Sequence, residues 1–198
     1  SYLIVFPVYK IFFRGKTSGI SNVPKYGPCV VVANHGSHFD PPLLGHILRR
    51  PIAFMAKSEL FTIPILSSII KGCVAYPVNR GASDREAIRS ASNRLNEGWA
   101  IGVFLDGTRQ HDGRVNSPKP GAALLAARNE TLLLPVAIIN SHKALGLGRI
   151  IPRLVPIHVR IGEPIDPPKS RKKIDLNKTS EDIKQRINNL LDQGLIKN

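Results

Sequence analysis

The chain has 198 residues, and 28 Lys+Arg against 14 Asp+Glu give it a formal net charge of +14. That length suits one domain with a real core, and 42% hydrophobic residues exclude a disordered chain. Two cysteines, Cys29 and Cys73, make neither a disulfide framework nor a four-cysteine zinc site, which favours a reducing compartment. The charge predicts an anionic partner: nucleic acid, anionic lipid or an acidic carrier protein. It is spread along the chain, with a dense run only at Lys169 to Lys173, unlike a basic nucleic-acid tail. One Trp and four Tyr also offer few platforms for stacking bases.

Residues 1–13 hold ten apolar or aromatic side chains, interrupted by Pro7 and followed by Arg14 and Lys16. The stretch is too short to cross a bilayer and lacks a small-residue cleavage site. It fits either core packing or a place in the membrane interface, with Lys10, Arg14 and Lys16 near headgroups. Cys29–Ala33 reads as a buried strand. Asp40 before Pro41 and Pro42 starts a helix running to Arg50. Ile52–Ala56 and Val74–Val78 are the next strands, and the apolar stretch Leu60–Ile70 between them fits core or interface. Ser83-Asp84-Arg85-Glu86 is a capping box opening a helix that Gly98 closes. Ala100–Leu105 is a strand, Pro120–Arg128 a short helix, and Leu132–Ile139 and Arg153–Ile161 later strands. Pro164 to Pro168 reads as a surface connection, and a last helix runs from Thr179 to Asp192. Strand–helix alternation predicts a single α/β domain with a largely parallel sheet flanked by helices.

Polar residues gather just past the strand ends: His35 after the first, Arg80 after the third, Asp106 and Arg109 after the fourth. That edge of an α/β sheet is where ligands bind. Asn34-His35-Gly36-Ser37-His38-Phe39-Asp40 offers an imidazole, able to accept a proton near neutral pH, and a carboxylate to orient it. The spacing alone also fits Asp40 as a helix cap beside a polar loop histidine, or His35, His38 and Asp40 as metal ligands. Asp106-Gly107-Thr108-Arg109 is an Asp-Gly turn whose N–H groups and guanidinium suit a phosphate. Lys57 and Arg80, at comparable places after strands, extend it into a possible clamp or stand as ordinary solvated charges. His46, His111, His142 and His158 have no local partner that signals chemistry and read as structural or surface residues. Ser37 lies in no nucleophile-elbow sequence, and neither a Walker loop nor a Rossmann fingerprint occurs.

Taken in order, these segments resemble the conserved blocks of the 1-acylglycerol-3-phosphate acyltransferase family, its bacterial and plastid-type members most. His35 to Asp40 fits its His-x4-Asp block, and Phe104-Leu105-Asp106-Gly107-Thr108-Arg109 its Phe-Pro-Glu-Gly-Thr-Arg block. Lys57-Ser58-Glu59-Leu60 resembles its Lys-x-Glu-Leu segment, Pro77-Val78-Asn79-Arg80 its arginine block and Leu134-Pro135-Val136 its proline block. Asp106 and Leu105 depart from the family's Glu and Pro, and Gly72 lies further from Arg80 than the family's glycine does. The resemblance implies a glycerol-3-phosphate acyltransferase-like fold: an interfacial segment over residues 1–20 and an acyltransferase domain over 21–198. It implies transfer of an acyl group from acyl carrier protein or CoA to lysophosphatidic acid, giving phosphatidic acid, with no cofactor or metal. The rival readings are an acyltransferase for another lysophospholipid or glycerol 3-phosphate and a non-enzymatic module binding anionic lipid or nucleic acid. His35 would be the base and Asp40 its partner. Lys57, Arg80 and Arg109 would hold the phosphate, and Asp106, Gly107 and Thr108 would shape the acceptor site. It further implies membrane association at a cytoplasmic or stromal face, an anionic lipid surface as partner and no nucleic acid.

Overall fold

Cys29-Val30-Val31-Val32-Ala33 carries no polar side chain on either face, so it is suited only to the middle of a sheet covered on both sides. The computed structural model, which describes residues 5, 7–57, 76–78, 84–149 and 151–197, places it there. The strands are β1 (Lys16–Ser18), β2 (Cys29–Ala33), β3 (Ile52–Lys57), β4 (Tyr76–Val78), β5 (Ala100–Phe104), β6 (Leu133–Ile139) and β7 (His158–Ile161). Their order among the described residues is β1-β7-β6-β2-β5-β3-β4. Every neighbouring pair is parallel except β6 with β7. The sheet is therefore mixed and largely parallel, as the alternation of elements predicts.

Five α-helices are described: α1 (Asp40–Ile47), α2 (Asp84–Asn96), α3 (Gly121–Asn129), α4 (Ser141–Leu145) and α5 (Lys173–Asp192). Side chains alternate across a strand, and β2 divides accordingly. Cys29, Val31 and Ala33 pack with Leu43, Leu44 and Ile47 of α1 and with Tyr9 and Phe13. Val30 and Val32 face Leu95 of α2, Leu125 of α3 and Ile183 and Ile187 of α5. Val8–Phe12 forms one π-helical turn, closed by the Phe13 N–H on the Val8 carbonyl. Tyr9 fastens this turn to β1, its hydroxyl donating to the Lys16 carbonyl at 2.5 Å. Burial pushes that phenol up to about 12. Among the described residues no helix is long and apolar enough to cross a membrane.

Several boundaries differ from the sequence expectation. The strand expected from Arg153 begins only at His158, because Pro156 has no N–H to give a ladder and the Pro156 carbonyl accepts from Asn140 Nδ2 instead. The last helix begins at Lys173, well before Thr179. Its buried stripe of Leu176, Ser180, Ile183 and Ile187 starts in the extra turn, and Asp175 lies where the helix dipole favours an acid. The first helix stops at Ile47 short of Arg50, with Arg49 in the left-handed region at φ 52. The Pro164–Pro168 connection is not purely superficial, since Ile165 exchanges two backbone hydrogen bonds with Leu133. β1 has no apolar alternation to announce it and pairs along β7 at the sheet edge. Leu60–Ile70, Ser83 and residues 74–75 of the expected third strand lie outside the described residues.

Candidate active site

β2 and β5 run parallel with Ala33 opposite Phe104, so their following loops leave the same edge side by side. Two backbone bonds knit them: Leu105 N–H to the Ala33 carbonyl at 3.0 Å, and Gln110 N–H to the His35 carbonyl at 2.8 Å. Between them Asn34 is buried, and its amide is fully engaged. Nδ2 donates to the Gly113 and Ile138 carbonyls at 2.7 and 2.9 Å, and Oδ1 accepts from the Ile138 N–H at 2.7 Å. Asn34 thus clamps the β2 loop to β6 and to the loop after β5.

Asp40 opens α1, yet its carboxylate does not cap that helix; it turns back into the loop. Oδ2 accepts from His35 Nδ1, Gly36 N–H and Ser37 N–H, each at 2.8 Å. The residue is wholly buried, and Oδ1 has no hydrogen-bond partner among the described residues. Because a carboxylate only accepts, a neutral His35 carries its proton on Nδ1 and keeps the lone pair on Nε2. The ring is 16% exposed and lies flat on Phe104, centroids 3.8 Å apart, with Phe54 stacked beyond at 5.8 Å. Gly36 has to be glycine here: a Cβ would stand 2.7 Å from Cβ of His142. His142 packs behind the loop, its Nδ1 buried without a partner among the described residues. Burial is the main cause that holds its ring below the usual histidine range, with Lys143 adding to it and Asp112 and Asp40 opposing.

The second loop is built by Asp106. Both its oxygens accept backbone donors, Asn116 N–H at 3.1 Å on Oδ2 and Ser117 N–H at 2.9 Å on Oδ1. The aspartate that replaces the family's glutamate therefore meets backbone of its own loop. Gly107 turns the chain at φ 70, a conformation that L side chains rarely adopt. Asn188 and Asp192 of α5 hold the far side through Val115 and Arg114. Thr108 is exposed and Arg109 half-buried. Arg109 comes close enough to His38 for its charge to help depress that ring, after desolvation and ahead of His35, against the opposing Asp40.

The structure thus brings together His35, Asp40, Asp106, Gly107, Thr108 and Arg109 on two adjoining loops. Lys57 closes β3, two places over in the sheet, with its side chain outside the description, and Arg80 lies outside the described residues. Sequence reasoning passed over Asn34, whose signal was an amide directly after an apolar strand, and Phe104, a ring at the end of the neighbouring strand. It also left His142 without a role, and nothing in the local sequence shows that it reaches Gly36.

A parallel sheet edge carries a buried carboxylate–imidazole pair beside an Arg-bearing turn, and residues 14–139 match the family model described as Acyltransferase. The 1-acyl-sn-glycerol-3-phosphate acyltransferase of Bacillus subtilis is 30% identical over 73% of this chain and 70% of its own length. That of Borreliella burgdorferi is 25% identical over 91% and 69%. The chloroplastic enzyme LPAT1 of Arabidopsis thaliana is 30% identical over 73% of this chain, which spans only 40% of the plant protein. The crystal structure of the acyltransferase PlsC from Thermotoga maritima superposes with a TM-score of 0.77 at 29% identity, covering 98% of this chain and 82% of the other. The chain belongs to the acyltransferase family, among relatives that are 1-acylglycerol-3-phosphate acyltransferases.

Proposed function

We propose that the protein transfers a fatty acyl group from a thioester, acyl carrier protein or CoA, to the free hydroxyl of lysophosphatidic acid, giving phosphatidic acid. The observation that carries this reading is the 2.8 Å contact between His35 Nδ1 and buried Asp40 Oδ2, in a chain whose relatives bear that activity in their names. With Nδ1–H held by the carboxylate, Nε2 takes the proton of the attacking hydroxyl. The hydroxyl oxygen bonds to the thioester carbon, the carbon–sulfur bond breaks, and the imidazolium returns its proton to the departing thiolate. General base catalysis of this kind contributes about 10²–10⁴-fold, and Asp40 stabilises the imidazolium as it forms. Arg109, with Lys57 and Arg80 by family resemblance, would anchor the acceptor phosphate and so orient its hydroxyl. Asp106 and Gly107 contribute by fixing the turn that presents Thr108 and Arg109.

The acceptor is itself a lipid, so we place the protein at a membrane surface with residues 8–14 in the interface. The test is purified protein with labelled acyl thioester and a panel of lysophospholipids and glycerol 3-phosphate. Turnover fastest on lysophosphatidic acid and lost in His35→Ala is expected. Near-normal turnover by His35→Ala refutes the base, and preference for another acceptor refutes the substrate.

A further inference from the structure

The strand directions put more than the dyad at one edge of the sheet. β6 runs parallel to β2, with Val136 opposite Ala33, so it also ends at the His35 edge. β7 runs back, beginning there with His158 opposite Ile139, and β1 begins there with Lys16 opposite His158. The turn before β1 and the irregular segment between α4 and β7 therefore emerge together beside the catalytic loop. They are also bonded to each other. Ile157 N–H donates to the Phe13 carbonyl at 3.0 Å, and Arg14 Nη2 to the Leu154 carbonyl at 3.2 Å. Buried Phe13 meets Phe39 of the His35–Asp40 loop edge-on, centroids 5.7 Å apart.

What these segments show to solvent is unusual for a surface. Ile11 is 69% exposed, Phe12 53%, Ile151 79% and Leu154 58%. Between and beside them stand the exposed cations Lys10, Arg14, Arg149 and Arg153. Arg149 and Ile151 line an open hollow of about 430 Å³ with Leu147 and Gly148. No Asp or Glu occurs from Ser1 to Phe39 or from Thr131 to Gly162. Exposed apolar side chains in two segments whose own charged residues are all cations match the two layers of an anionic lipid surface, acyl boundary and phosphate.

We propose that residues 147–149 and 151–155 form a second membrane-docking segment, joined to residues 8–14 in one face that lays the His35 edge of the sheet against an anionic lipid surface. This rests on the reading of the acceptor as a membrane lipid, and extends it to a segment outside the family's sequence blocks. A lipid surface is favoured over an acidic carrier protein because the patch exposes four large apolar side chains, Ile11, Phe12, Ile151 and Leu154, and a bilayer accepts them without shape complementarity.

The test uses the full chain, its Arg149→Gln/Arg153→Gln and Ile151→Asp/Leu154→Asp variants, and flotation with phosphatidylcholine vesicles with and without phosphatidylglycerol. Wild-type protein should float with the phosphatidylglycerol vesicles. The arginine pair should bind them about 30-fold more weakly, and the aspartate pair at least about tenfold more weakly. Both variants should keep wild-type rates on a short-chain, monomeric lysophosphatidic acid, which reports an intact fold, and lose rate on the vesicle-borne substrate. Unchanged vesicle binding in both variants overturns the proposal. So does loss of affinity for acyl carrier protein with vesicle binding intact, or conversion of a dimer to monomers, which would assign the face to a protein partner. Wild-type vesicle binding without turnover of any lysolipid would refute the proposed reaction while leaving the docking face standing.

Discussion

Replacing Asp40 by Asn removes one charge and almost no volume, and the structure says what that charge holds. Oδ2 receives three donors at 2.8 Å. A hydrogen bond to an ionised group contributes about 1.5–3 kcal/mol, a neutral one about 1. Loss of charge assistance then costs about 1 kcal/mol per bond and about 3 kcal/mol in sum. The new amide hydrogens add to this, since the Oδ1 position is buried without a partner among the described residues. For a chain of this size about 3 kcal/mol lowers the melting temperature by about 6–12 °C. The catalytic effect is separate, because the imidazolium formed during proton transfer loses its counter-charge, and kcat should fall about 10²–10⁴-fold. Ser37→Ala is the control. Among the described residues it removes the Phe39 N–H bond to Ser37 Oγ at 3.0 Å, should cost about 1 kcal/mol, and leaves His35 held. Initial rates with saturating thioester and lysophosphatidic acid, taken below each variant's melting temperature, separate the two effects. An Asp40→Asn protein with lowered melting temperature and undiminished kcat would show the carboxylate to be a loop brace alone. An equal loss of kcat in Ser37→Ala would assign the effect to loop distortion.

Asn34→Ala strands the Ile138 N–H and the Gly113 and Ile138 carbonyls, and urea denaturation should show a loss of at least about 3 kcal/mol, at about 1–3 per unpaired group; a loss no larger than a surface substitution gives would remove the clamp. Gly36→Ala sets a methyl 2.7 Å from His142 Cβ, so kcat should drop more than about tenfold while the overpacking costs about 1–3 kcal/mol, and His142→Gly in the same chain should restore part of the rate. Stability should fall on acidification through the histidine range. Burial holds His142 and His158 below their usual range, and His158 Nδ1 accepts the Ile196 N–H at 2.8 Å. Near and below about pH 6.5 the unfolded rings bind protons that the folded rings resist, so stability rises with pH through that window and levels off above it. Urea midpoints at about pH 7.5 and about pH 5 should differ in that direction, with the difference reduced in His158→Gln; equal midpoints would refute the linkage.

The central strands were legible because burial on both faces demands an uninterrupted apolar run, and Cys29–Ala33 appears with the boundaries read from sequence. β1 was not, because Lys-Thr-Ser pairs through backbone along β7 and its side chains are all of intermediate burial. The extra turns of α5 were legible in principle. Leu176 continues the stripe of Ile183 and Ile187, but Thr179 offers a cap-like residue further on and masks it. At the site, the spacing of His35 and Asp40 left a pair, a helix cap and a metal site all open. The geometry gives the pair, because the Asp40 carboxylate turns away from the helix it opens. Asp106 shows the opposite limit. A carboxylate after a strand reads as a binding group, while both its oxygens are engaged by N–H groups ten and eleven residues later in the chain, a closure that local patterns do not encode.

The loop bearing His35 is held from two directions, and the difference matters for how the site works. From within the sheet, Asn34, the His35 carbonyl and the Asp40 carboxylate fix the backbone before any substrate arrives. Asp40 Oδ2 engages Nδ1 and Phe104 covers one face of the ring, so Nε2 is the ring nitrogen without a partner among the described residues. From the sheet edge, Phe39 leans on Phe13, and Phe13 belongs to the segment that carries exposed Ile11 and Phe12. On the proposed mechanism the His35 ring is preorganised as a base by interior contacts, while the outer contacts would set its approach to a lipid. It follows that Phe13→Ala should act differently from Asn34→Ala. Loss of the edge contact should raise KM for vesicle-borne lysophosphatidic acid with kcat on a monomeric analogue largely kept, whereas loss of the interior clamp should lower kcat on both. Equal effects of Phe13→Ala on the two substrates would mean that the outer contacts only stabilise the fold.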